Sequence, residues 1–216
     1  MAKLSELIPA MAEVLGIPVS TADAYAKPLR KDGLIASGGR GTGAPDMTAK
    51  DSINLLLAIM SGSTTRASEN VHHLRNLIVD DGCIGGSAYV IKSLELGRKH
   101  TFSDFMECLI CESMTGSVQN TLKDALSFGL GWKADEIHKY DCLLKVVVEE
   151  ESMTGSIQVD LDGGGNNIRV QPTFIRYFPK DYFKGNMGSI SRKGDMCTRR
   201  FVTEWTLNEI IRVLRK

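Results

Sequence analysis

Chemistry in a new sequence is sought first among residues that ligate, titrate or attack. Cys108 and Cys111 form a CxxC pair, and His138 and Cys142 follow with HxxxC spacing. Together they offer the four N/S ligands of a tetrahedral zinc site. Leu109 and Ile110 fill the gap where a knuckle would have glycines. Phe105, Cys108, Leu109 and Cys111 also share an apolar helical stripe, so buried thiols are the expected outcome and no metal is assigned. His72 and His73 are adjacent and diverge on a helix, where chelation needs i, i+4 spacing. Asp160 and Asp162 precede Gly163–Asn167, with a calcium-loop composition. The fifth position is Gly164 and the twelfth Gln171, where an EF-hand needs a ligand and a glutamate. No GxSxG, P-loop or HExxH run occurs. The expectation is therefore a protein that binds rather than catalyses, with no cofactor.

The residues that could read a polyanion lie near the start. In "MAEVLGIPVSTADAYAKPLRKDGLIASGGRGTG", Met11 to Gly43, a helix stops at Gly16 and a second is capped by Ser20 or Thr21. The second carries Asp23, Tyr25, Lys27, Arg30 and Lys31. A helix entering the major groove contacts base edges with its N-terminal residues and phosphates with later basic ones. Ser20, Thr21 and Asp23 would sit at that end, Tyr25 would reach a base or phosphate, and Lys27, Arg30 and Lys31 would supply charge. Arg40, among glycines, would suit a narrow minor groove.

This stretch, about residues 4–48, resembles the winged helix-turn-helix of bacterial and phage transcription regulators. The resemblance implies a scaffold helix, a recognition helix, and a short strand through Leu34 and Ile35 leading into a glycine-rich wing. It implies sequence-specific binding of double-stranded DNA, and a homodimer matched to paired half-sites. Two departures stand out. Pro28 lies within the recognition helix, which should therefore kink or shorten. No helix precedes the scaffold helix, and one over Thr48–Met60 would pack in its stead. The rival readings are a phage packaging protein such as a small terminase subunit, and a host-interaction protein that binds another protein.

The rest of the chain must hold these residues in place. Its 216 residues are 43% hydrophobic and 24% charged, an ordinary globular balance. No apolar run nears the ~18–20 residues that span a bilayer. The five cysteines fit reduced thiols in a cytoplasm. Formal charge is zero but unevenly spread. Residues 51–161 hold nine Lys/Arg against sixteen Asp/Glu, and residues 162–216 hold eleven against five. The basic end calls for a polyanion or for packing against the acidic middle.

Helical periodicity is read over residues 4–15, with Ser5 as cap, over 49–60 behind Thr48 and Asp51, and over 63–79, 87–96 and 101–111. From Cys142 the period becomes two: "CLLKVVVEEE", "SIQVDLDGGG", "IRVQPTFIRYF" and "CTRRFVTEW" read as strands. "TLNEIIRVLRK" closes as a helix capped by Thr206. The expected class is α+β: a winged helix-turn-helix at 1–48, a helical region at 49–140, and an antiparallel sheet with a terminal helix at 141–216. The hexapeptide Glu-Ser-Met-Thr-Gly-Ser occurs at Glu112 and again at Glu151. Similarity fades beyond it, so it reads as one turn chemistry used twice rather than a structural repeat.

Overall fold

The computed structural model describes residues 2–39, 41–80, 86–97, 99–130, 133–137, 139–149, 152–162, 173–180 and 199–215. Arg40, His138 and the turn at Gly163–Asn167 lie outside them. The class is α+β, with helices packed on one antiparallel sheet.

Helix α1 (Leu4–Leu15) buries Leu7, Ile8, Met11 and Ala12. Its N-cap is Lys3 rather than Ser5, because the Glu6 carboxylate accepts the Lys3 N–H at 2.8 Å. Gly16 ends it in the left-handed region, with φ 65°. Helix α2 (Val19–Lys31) follows, and Gly33, with φ 69°, turns the chain out of it. The Leu34 N–H returns to the Leu29 carbonyl at 2.8 Å. The helix is not cut short at Pro28, since it runs on to Lys31.

Helix α3 (Ala49–Met60) is the hub: residues 51–60 are all buried, and it touches α2, α4 (Ala67–Arg75) and α6 (Phe102–Glu112). Thr48 and Asp51 form the expected capping box. The helix read over 63–79 ends early, and Ile78–Val79 is strand β1. Helices α5 (Gly86–Ser93), α7 (Val118–Leu130) and the short α8 (Ala134–Ile137) complete the middle.

The sheet comprises β1, β2 (Asp141–Glu149), β3 (Thr154–Asp162), β4 (Thr173–Phe178) and β5 (Arg199–Thr203), in the order β1-β4-β3-β2-β5. All its pairs are antiparallel. Alternation puts Cys142, Leu144, Val146 and Val148 of β2 inside, beside Ile157, Val159, Ile175, Tyr177 and Val202. Helix α9 (Glu204–Leu214) follows β5 directly and buries Leu207, Ile210, Ile211, Val213 and Leu214. It starts at Glu204 rather than Thr206, and the Glu204 carboxylate accepts the Leu144 N–H at 2.8 Å. Helix α1 lies on α9, so the first and last helices share one core.

The hexapeptide takes two conformations. At Ser113–Thr115 it is a turn of 3-10 helix whose flanking carbonyls, of Ser113 and Gly116, accept from Arg215 at 2.7 and 2.6 Å. In the second copy Met153 turns with φ 47° and Thr154 already begins β3. The hairpin turn therefore precedes Thr154 rather than running through Ser156.

One core contact depends on pH. The His100 ring is 5% exposed, with Nδ1 2.8 Å from the Gly97 carbonyl oxygen and Nε2 2.9 Å from the Tyr177 hydroxyl. A carbonyl only accepts, so Nδ1 carries the proton and Nε2 of the neutral ring accepts from Tyr177. Burial pushes the His100 pKa below its ordinary 6.5, more than the Gly97 carbonyl and Asp104 raise it. The unfolded chain thus binds a proton near pH 6.5 that the folded chain refuses. The contribution is complete above pH 6.5 and is lost as pH falls from there through the folded value. Urea titrations between pH 7.5 and 5 should show wild type losing more stability than His100→Gln, which keeps a neutral polar side chain. Parallel curves would contradict a buried neutral ring.

Candidate nucleic-acid interface

Helix α2 is held from one side and open on the other. Ala22, Tyr25, Ala26 and Leu29 face the core. Tyr25 is 6% exposed, so it packs against the helical core and does not present its ring to a base. That corrects its expected role. The i, i+3, i+4, i+7 spacing of these four residues is the signal that places Tyr25 inside.

The outer face carries Ser20, Lys27 and Lys31, all exposed, with Thr21, Asp23 and Arg30 half-buried. Asp23 lies between two cations: Lys27 Nζ is 3.2 Å from Oδ2, and Arg30 Nη2 is 3.2 Å from Oδ1. Asp23 thus orients Lys27 and Arg30, and its own charge would repel a phosphate. Such half-exposed pairs contribute only ~0–1 kcal/mol, so they open readily for a stronger anion. The helix starts at Val19, which is 51% exposed, and no side chain caps the N-terminus. Its first N–H groups therefore keep their capacity to donate to an anion.

The expected wing differs from its anticipated form. No strand forms at Leu34 and Ile35; two side chains of α3 take the backbone groups a strand partner would bind. Asn54 Nδ2 donates to the Leu34 carbonyl at 2.5 Å, and Asp51 Oδ1 accepts the Ala36 N–H at 2.9 Å. Asp51 Oδ2 also accepts the Thr48 N–H at 2.8 Å. One carboxylate therefore pins both ends of the glycine-rich loop. The far end is further tied by an isolated antiparallel bridge between Lys3 and Asp46 and by their 2.8 Å ion pair. Lys3 holds the Asp46 carboxyl below the usual range.

Asn54 extends the clamp inward. Its Oδ1 accepts from Arg75 Nη1 at 2.6 Å, and Arg75 Nη2 lies 2.8 Å from Glu107. A polar chain thus runs from the loop through α3 and α4 to α6. The sequence signal for it is Asp51 and Asn54, three residues apart on a helix whose other buried residues, apart from Ser52, are apolar.

Asp23 and Arg30 of α2, Ser37, Gly38 and Gly39 of the loop, and Lys3 and Ser5 at the start of α1 line one groove of about 380 Å³. The structure thereby brings α2 and the loop together. Arg40 belongs to that loop in sequence but lies outside the described residues.

Among the described residues Cys108, Cys111 and Cys142 gather at no metal site. Cys108 Sγ points to the Leu94 carbonyl at 3.2 Å, Cys111 is exposed on the same helix, and Cys142 is buried on the inner face of β2. Burial pushes the Cys142 thiol up to about 12, so it is a neutral thiol in the protein. Among the described residues no three His, Cys, Asp or Glu gather as a metal site, and no helix is long and apolar enough to cross a membrane. No protein-family model, curated protein or solved structure matches this chain.

Proposed function

We propose that this protein is a sequence-specific double-stranded-DNA-binding regulator of transcription, and that α2 reads the major groove. The observation that carries the reading is the shared groove of α2 and the glycine-rich loop beside an exposed helix start. Val19 and Ser20 would face base edges: a valine suits a thymine methyl, and a serine hydroxyl donates or accepts. Thr21 and the free N–H groups would meet a phosphate, as would Lys27, Arg30 and Lys31. The pinned loop would serve as the wing, and Arg40 would supply its contact to the minor groove. A homodimer would set two such modules on paired half-sites.

The test is selection of bound duplexes from fragmented genomic and randomised DNA, followed by footprinting. Recovery of one recurrent, preferably palindromic, site supports the reading. Recovery of no enriched sequence at any salt concentration would overturn it. Arg40→Ala should then lower affinity on A·T-rich flanks more than on G·C-rich ones, compared on duplexes sharing one core site. Equal losses would make Arg40 a plain phosphate contact, and no loss would make the loop a solvent feature.

A further inference from the structure

Three of the large apolar side chains exposed among the described residues, Leu143, Phe201 and Trp205, are 44%, 57% and 58% exposed and belong to β2, β5 and the start of α9. Leu143 and Phe201 lie on the side of the sheet away from the helices, where alternation also puts Lys145, Val147 and Glu149 of β2. The pairing register lines up rows across that face. Phe201 is opposite Val147, Val147 opposite Ser156, and Ser156 opposite Arg176. In the adjoining row Arg199 is opposite Glu149, Glu149 opposite Thr154 and, by the same register, Thr154 beside Phe178. The centre is small and polar; the rim is aromatic and cationic.

These residues enclose a shallow groove of about 440 Å³. The cations lining it are Lys145, Arg176 and Arg199, against the single carboxylate of Glu149. Glu149 is already engaged by Arg199 at 2.9 Å and by the Ser152 hydroxyl at 3.0 Å. Lys145 Nζ lies 4.3 Å from the centroid of the Phe201 ring. An ammonium beside an exposed ring presents a charge for a phosphate next to a surface for a base. Gln158 and Ser156 add hydrogen-bonding groups in the middle.

We propose that this open face of the sheet binds a single-stranded nucleic acid, with a base stacked on Phe201 and its phosphates met by Lys145, Arg176 and Arg199. Exposed aromatics amid cations on a β-sheet supply the two contributions such binding needs, stacking and backbone neutralisation. Charge decides the occupant. Asp141, Asp160 and Asp162 lie at the other end of the same face, but within the groove three cations meet one carboxylate, so the occupant there is an anion, and the ring beside Lys145 favours one that carries a planar base. The proposal stands apart from duplex reading by α2.

The experiment uses full-length protein and fluorescent oligonucleotides of about 15 residues, dT and rU, beside an abasic strand of equal length, at about 50 mM salt. The dT and rU strands should bind, and the abasic strand should bind more weakly. Phe201→Ala should lower affinity about tenfold and Phe201→Trp should preserve it. Arg176→Ala should reduce the salt slope by about 0.7. Arg30→Ala with Lys31→Ala should leave these values unchanged while weakening duplex binding, which separates the two surfaces. Circular dichroism and urea midpoints establish that each variant is folded; Phe201 and Arg176 are exposed, so both variants should be. No binding to either strand, equal affinity of the abasic strand, or full affinity in Phe201→Ala would overturn the proposal.

Discussion

Asn54→Ala should destabilise the protein by about 1–3 kcal/mol, because two part-buried groups lose a partner at once. The Leu34 carbonyl loses its donor and Arg75 loses an acceptor. Asn54 has no exposed surface, so water cannot enter without moving α3. A hydrogen bond to a charged group is worth more than a neutral one, which puts most of the loss on the Arg75 side. Arg75→Ala should cost a comparable amount, since it strands Asn54 and Glu107. The double variant should cost much less than the sum, because both changes break one chain of contacts. Urea unfolding of the four proteins measures the cycle. Additive losses, or a change under about 0.5 kcal/mol in Asn54→Ala, would contradict the chain of contacts.

Gly155→Val should be the second severe change. An added Cβ would lie 3.2 Å from two atoms of the Phe102 ring, itself fully buried. That ring packs against Tyr177 at 5.1 Å between centroids and has no free direction to retreat. Overpacking of this kind costs about 1–3 kcal/mol, with alanine at the low end and valine at the high end. Phe102→Leu should recover part of the valine loss by opening the space. Midpoints of thermal or urea unfolding decide it. An unaffected Gly155→Val would mean that the Phe102 ring does not pack on Gly155.

Much of the fold is legible because period and punctuation agree. Thr48 with Asp51 and Thr101 with Asp104 mark helix starts by side chains that satisfy the first N–H groups, and the structure keeps both boxes. The alternation of β2 from Cys142 to Val148 marks its buried face directly. The start of α2 was less legible, because Pro18 fixes the entry and the helix begins before the hydroxyls. No local pattern reveals why Leu34 and Ile35 form no strand. Residues distant in sequence, Asp51 and Asn54, satisfy the backbone there and remove the need for a pairing strand. The stripe of Ala22, Ala26 and Leu29 beside Tyr25 places its ring in the core. The sheet face with Phe201 escaped notice because its residues come from four separated strands and meet only through register.

The most direct test of duplex reading by α2 is the salt dependence of binding to the selected duplex, for wild type and Arg30→Ala with Lys31→Ala. Each lost phosphate contact lowers the slope of log K against log salt by about 0.9. Asp23 offsets part of the charge of Arg30, so Lys31 should account for the clearer change. The account expects a slope smaller by about 1–2, weaker binding, and an unaltered urea midpoint. An unchanged slope with unchanged affinity would contradict it and remove α2 from the DNA surface.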